Sequence, residues 1–178
     1  MQKEQIFVFG QGKIVHAVLD QSKGHTVIVA GTQKHAELAD FVCVNDPQQL
    51  DTIMALPERK ALVLSPRKIY AKYAFFTGVE CLPYFEDLAA YKWDPHAVSD
   101  QLCALALAAW MGANEVVMSG LQMQDKKEID NVKALMTVYS GIDFIAVHKE
   151  PVKFGGIQLA NFSTIDQPQY KQRIRSNA

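Results

Sequence analysis

The first residues whose types and spacing suggest chemistry are the glycines of Phe9-Gly10-Gln11-Gly12-Lys13, set directly after the apolar run Ile6-Phe7-Val8-Phe9. Glycine lets a backbone come close to a phosphate and turn its amides toward it, and a helix starting just beyond would add the positive end of its dipole. Measured against the dinucleotide-binding fingerprint, Gly10 and Gly12 match, but Val15 stands at the third glycine. The second apolar run also ends in Ala30-Gly31, where an acid would hold a ribose. The same two glycines would equally serve a tight strand-to-helix turn that holds no ligand.

Three more constellations follow apolar runs. Asn45-Asp46-Pro47 offers an amide and a carboxylate to a base or ribose; Asp46 with Pro47 also makes a helix start, which leaves Asn45 as the better ligand residue. Ser65-Pro66-Arg67-Lys68, with Tyr70, Lys72 and Tyr73, gathers positive charge for a phosphate or carboxylate, which Arg67 could grip in bidentate fashion together with Lys68 and Tyr70; an exposed amphipathic helix has the same composition. Ser119-Gly120-Leu121-Gln122 leaves room for a ligand, with Gln122 able to read a polar group. Ser119 is not a hydrolase nucleophile, because the glycine two residues before it is missing.

Of the histidines, His148 ends an apolar run beside Lys149 and Glu150, where a general base would stand; His16, His25, His35 and His96 read as surface or cap residues. No two histidines have the i, i+4 spacing with an intervening acid, so no metal site is expected. Asp125, Glu128 and Asp130 alternate with Lys126, Lys127 and Lys133 as a solvated helix face rather than a catalytic carboxylate pair.

These residues need a frame. With 178 residues, 49% of them hydrophobic and 21% charged, the chain can bury a substantial core. A net charge of -1 gives no field for nucleic acid or an anionic membrane. No apolar run reaches the ~20 residues of a membrane span. Cys43, Cys81 and Cys103 suggest neither disulfides nor zinc, and a cytoplasmic protein is expected.

The short apolar runs at 6–9, 26–29, 41–44, 61–64, 116–118 and 144–147 are continuous rather than alternating, which is how parallel strands covered on both faces read. Helices are expected at 13–21, 47–56, 66–74, 95–111 and 126–140, between those runs. For the fourth, Asp94 and Pro95 mark the start, Gly112 the stop, and Leu102, Leu105, Ala106, Ala109 and Trp110 the face toward the sheet. The expected class is α/β, with a mostly parallel sheet of about six or seven strands and helices on both faces. The 75–93 stretch has room for one short strand, and 151–165 suggests a Gly-Gly turn before an antiparallel edge strand. Residues 1–165 form one domain in this reading, followed by a polar, basic, solvated tail at 166–178.

Three segments, IFVFGQGK, ADFVCVNDP and LALAAWMGANEVVMSGLQM, together resemble the Rossmann-like sialyltransferases that use CMP-sialic acid and their pterin-pyrophosphokinase-like relatives. In that group a Gly-Asn-Gly-Pro-Ser-like loop follows the first strand, a middle strand ends near Asn or Asp-Pro, and an alanine-rich helix precedes a strand ending in Gly-Ile-Asp. Here Gln11 replaces the asparagine, Lys13-Ile14 the Pro-Ser, and Gln122 the final acid. The resemblance implies a three-layer Rossmann-like fold and a pocket for a CMP-type nucleotide or nucleotide sugar, with no other cofactor. If transfer occurs, it implies in-line displacement of a nucleoside monophosphate by an acceptor hydroxyl, with His148 as base.

Two other functions fit the residues. GQGK followed by GHTVIVAG suits an NAD(P)-binding oxidoreductase or sensor, less the third glycine and the acid. A non-catalytic assembly module would use the aromatic-rich 70–93 region as a homo-oligomer face.

Overall fold

A computed structural model describes residues 4–31, 35–56, 60–89, 93, 99–123, 125–149 and 156–177. The strands are β1 (Gln5–Phe9), β2 (Thr26–Ala30), β3 (Phe41–Cys43), β4 (Leu62–Ser65), β5 (Val79–Cys81), β6 (Glu115–Ser119), β7 (Asp143–His148) and β8 (Phe162–Asp166). The helices are α1 (His16–Gln21), α2 (Pro47–Met54), α3 (Arg67–Tyr73), α4 (Glu86–Ala89), α5 (Asp100–Trp110), α6 (Lys126–Val138) and α7 (Gln167–Asn177). Between β2 and β3 lies a 3-10 turn, Ala36–Leu38.

The strands form one 8-stranded sheet in the order β5-β4-β3-β2-β1-β6-β7-β8, and every neighbouring pair is parallel. This is a Rossmann-like α/β architecture. The apolar strands are continuous because both faces are covered. Val18, Leu50, Ile53, Ile69 and Tyr170 of α1, α2, α3 and α7 pack with Phe7, Phe9 and Val117 on one face. Leu88, Leu102, Leu105, Val132 and Leu135 of α4, α5 and α6 pack with Ile6, Val8 and Met118 on the other.

The expected edge strand near the carboxyl end is present as β8, but it runs parallel to β7, not antiparallel. The described part of its connection, residues 156–161, packs on the same face as α6, where Ile157 and Leu159 join the core. There Asn161 Nδ2 donates to the carbonyls of Met136, Tyr139 and Ile142 at 2.9, 3.4 and 3.1 Å, which satisfies orphan groups at the end of α6. Gly155, the first half of the expected Gly-Gly turn, lies outside the described residues.

The solvated tail is likewise corrected, since residues 167–177 are helical and α7 packs on the sheet. Asp166 and Gln169 cap its start reciprocally: the Gln169 amide donates to Asp166 Oδ1 at 2.8 Å, and the Asp166 amide to Gln169 Oε1 at 2.9 Å. Arg173 then pairs with Glu115, a carboxylate buried at the start of β6 that also accepts from Gln5 Nε2 at 2.6 Å. Arg173 is therefore engaged by the core, while Lys171 and Arg175 stay exposed.

The opening helix of the late half also shifts. Asp94 and Pro95 lie outside the described residues; α5 begins at Asp100 with Ser99 as its cap, Oγ accepting from Leu102 N at 3.3 Å. Residues 102–109 are all buried, because α5 packs across β1, β2 and β3 and against α6, while Trp110 is 52% exposed rather than packed on the sheet. Gly112, at φ 85°, ends the helix as expected.

Candidate functional site at the carboxyl rim

Consecutive strands step outward from β1 to β5, then the chain returns to β6 on the other side of β1. The strand order thus reverses between β1 and β6, and in open α/β sheets ligands bind at the carboxyl ends beside such a point. Gly10 and Gly12 leave β1 here and Ser119-Gly120 leaves β6. The glycine amides expected to face a phosphate are instead given to the neighbouring loop: Gly10 N donates to Ser119 O at 3.0 Å and Gly12 N to Gly120 O at 2.8 Å. The reason is contact between backbones. A Cβ on Gly10 would lie 2.3 Å from Gly120 O, and one on Gly12 would lie 2.8 Å from it.

Ser119 is fully buried and stapled into this junction. Its Oγ accepts from Val15 N at 3.0 Å and donates to Val147 O at 3.2 Å, joining the start of α1, the end of β6 and β7. Gln101 holds the next loop like an extra strand: its Oε1 accepts from Gln122 N at 2.6 Å and its Nε2 donates to Gln122 O at 2.9 Å. The exposed Gln122 side chain lies against Gly12, Nε2 being 3.0 Å from a Cβ built there. Lys13 is exposed just beyond.

Polar side chains gather one strand away, at the ends of β2 and β3. Gly31, buried at φ 54°, donates its amide to Cys43 O at 2.8 Å, and its carbonyl accepts from Gln11 Nε2 at 3.2 Å. The Gln49 carboxamide, with nitrogen toward Gly31, donates to the same carbonyl at 2.5 Å and to Asp100 Oδ2 at 3.3 Å. Asp100 Oδ1 accepts from the Asn45 amide nitrogen at 2.5 Å. Burial pushes the Asp100 carboxyl up to about 6, with Asp46 adding to the rise and the Asn45 hydrogen bond opposing it.

Sequence reading missed Asp100, Gln49 and Gln101. Ser99 three residues before Leu102 was a usable cap signal, overshadowed by Asp94-Pro95, and nothing local ties Asp100 to the end of β2. Of the expected residues, Gln11 joins this cluster by its side chain and Asn45 by its backbone amide. Asp46 caps α2, accepting from Gln48 N at 2.9 Å.

Other expected residues stand elsewhere on the rim. Arg67 and Lys68 are exposed at the start of α3, and Tyr70 is half-buried against the core; they follow β4, about 14 Å from β1 at the usual strand spacing. His148 ends β7 opposite Asp166, half-buried, its pKa held below the ordinary value by burial. It lies roughly 14 Å, three strand spacings, from the end of β2.

The aromatic-rich 70–93 region divides. Phe75, Phe76 and Tyr84 are 97%, 54% and 67% exposed, whereas Phe85 and Trp93 are buried edge to face at 5.7 Å, and Tyr91 lies outside the described residues. Among the described residues no group of three His, Cys, Asp or Glu side chains could hold a metal ion, and no helix is long and apolar enough to cross a membrane.

An open groove of about 850 Å³ lies at the opposite, amino ends of β2 and β3, lined in part by His16, Asp20, His25, Asp40, Phe41 and Met111. Its acids are engaged within the protein: Asp20 pairs with His16 and Lys23, and Asp40 Oδ2 accepts from Val27 N at 2.8 Å. The convergent polar chemistry is at the carboxyl rim.

No protein-family model matches this chain, and no curated protein sequence matches it. In three dimensions it is similar to the sialyltransferase CstII from Campylobacter jejuni, whose structure was determined in complex with a substrate analogue, cytidine-5'-monophosphate. The match has a TM-score of 0.55 at 16% identity and covers 80% of this chain and 79% of that one. The sialyltransferase-like, Rossmann-like fold is thereby shared.

Proposed function

We propose that the chain binds a nucleotide or nucleotide-activated sugar along the carboxyl rim, with the nucleoside over β2 and β3 and the phosphate-bearing end toward β6 and β7. The observation that carries this reading is the convergence of Asp100, Gln49 and Gln11 on Gly31, one strand from the reversal of strand order. The likeness to a sialyltransferase holding cytidine monophosphate supports the same ligand class. Lys13 is the cation nearest the glycine loop in sequence, and Arg67, Lys68 and Tyr70 border the far side.

A nucleotide sugar is long enough to span from β2 to β7. In a transfer, the acceptor oxygen would bond to the anomeric carbon as the bond from that carbon to the phosphate oxygen breaks. The nucleoside monophosphate leaves with the electron pair, and the hydroxyl proton passes to His148, which burial keeps neutral at pH 7.

The engaged amides of Gly10 and Gly12 favour a second reading, a binding module that has lost turnover, and they count equally against an NAD(P) site. Thermal denaturation with CMP, UMP, AMP, GMP and NADH tests the binding claim. A nucleoside monophosphate should raise Tm, Gln49→Ala should reduce the rise, and NADH should give no saturable shift. A flat response to all five sinks the proposal. Release of monophosphate from a nucleotide sugar then separates transferase from binding module.

A further inference from the structure

The second strand of a nucleotide-binding sheet commonly ends in an acid that accepts hydrogen bonds from the ribose hydroxyls. Here β2 ends at Ala30 and is followed by Gly31, neither of which has a side-chain acceptor. The space beside Gly31 is nonetheless occupied by a carboxylate from elsewhere: a Cβ on Gly31 would lie 2.0 Å from Asp100 Oδ2 and 2.8 Å from its Cγ. We infer that Asp100 supplies, from α5, the ribose-reading carboxylate that β2 lacks, so that the site selects ligands carrying an intact 2′,3′-diol. This inference rests on the reading of the rim as a nucleotide site.

The carboxylate keeps acceptor capacity beyond its contacts within the protein. Oδ1 is oriented by the Asn45 amide and Oδ2 by Gln49, and a carboxylate has about four acceptor directions. Gln11 and Gln49, both hydrogen-bonded to Gly31 O, fix the glycine that the sugar would lie against.

The charge is also costly where it stands. Among the described residues no Lys, Arg or His pairs with Asp100, and burial opposes its ionised form. An asparagine could accept from the Asn45 amide without that cost, so a structural staple alone does not call for the acid. A ligand that donates two hydroxyls does. Among the described residues the side chains beside this carboxylate are the Gln11 and Gln49 carboxamides and the Asp46 carboxylate, which suits a neutral polyol, and the negative charge of Asp100 itself opposes a 2′-phosphate.

Calorimetric titration of the full chain at pH 7.5 decides the matter, using the tightest binder among CMP, UMP, AMP and GMP with its 2′-deoxy and 3′-deoxy forms. The expected result is a preference of about tenfold for the ribonucleotide, a hydrogen bond to a charged acceptor being worth that much. Asp100→Asn, checked for fold by circular dichroism, should weaken the ribonucleotide about tenfold and bring the three ligands within about threefold of one another. Equal binding of ribo and deoxy forms by the unaltered protein overturns the inference and leaves the nucleotide reading standing. A preference that survives in Asp100→Asn overturns it too. Failure of all four nucleotides to bind removes the reading and the inference together.

Discussion

Asp100 Oδ2 occupies the place where a side chain at Gly31 would begin, 2.0 Å from the Cβ position, although one residue ends β2 and the other opens α5. Gly31 also has φ 54°, so glycine is required there both by its own backbone and by its neighbour.

These two requirements separate in a double-mutant cycle. Gly31→Ala should cost at least about 2 kcal/mol in urea denaturation, the sum of left-handed strain and the collision. In an Asp100→Ala background the collision with the carboxylate is gone, while the left-handed strain and the Gln49 carboxamide 2.7 Å from the Cβ position remain, so the cost should fall by about 1 kcal/mol rather than vanish. Strict additivity of the two substitutions would show that the contact carries no energy.

Asp100 should also make stability depend on pH in a recognisable direction. Its carboxyl titrates near 6 in the folded chain against 3.8 in the unfolded one, so the native state holds the proton more tightly. Stability contributed by the protonated form is present below about pH 4 and is lost as pH rises to 6, to a total of roughly 3 kcal/mol. The other titratable groups that sense this carboxyl are Asp46, Cys43 and Cys103, the thiols being pushed up by burial. Asp100→Asn is accordingly expected to melt higher than the parent at pH 7.5 and to lose that advantage by pH 4. A variant less stable at pH 7.5 would assign the carboxylate a structural role.

At the β1 and β6 exits the expectation is opposite to that for a phosphate loop. Gly10→Ala should destabilise the unliganded protein by about 2–4 kcal/mol, because its Cβ meets the backbone oxygen of Gly120 at 2.3 Å. Lys13→Ala, at an exposed position, should leave stability within about 0.5 kcal/mol and act only on nucleotide affinity. Guanidinium denaturation of the two variants, without ligand, measures the contrast. Equal stability of both would remove the loop contact as the reason for glycine.

The helix at the carboxyl end should prove essential to the fold. Arg173→Ala leaves the buried Glu115 without its cation and should cost about 2–3 kcal/mol, less than for a fully enclosed pair because Arg173 is 40% exposed. Adding Glu115→Gln should recover part of the loss. Differential scanning calorimetry of the single and double variants is the check, and an unchanged Tm for Arg173→Ala would return residues 167–177 to the status of a solvated tail.

What could be read from the sequence was local. Continuous apolar runs meant strands covered on both faces, Asp46-Pro47 marked the start of α2, and Gly112 stopped α5, because periodicity and capping act over a few residues. Gln11 and Asn45 could be placed at the carboxyl rim since each follows a strand. The tertiary structure alone decided what meets across the sheet. Only strand order brings Gly120 against Gly10 and uses amides that looked free; only the return of the chain across the helix face makes β8 parallel; only the buried charge of Glu115 draws Arg173 inward. The carboxylate missing after β2 belongs to this second class. It arrives on a helix from the opposite face, and no spacing along the chain encodes a contact that packing and loop closure create.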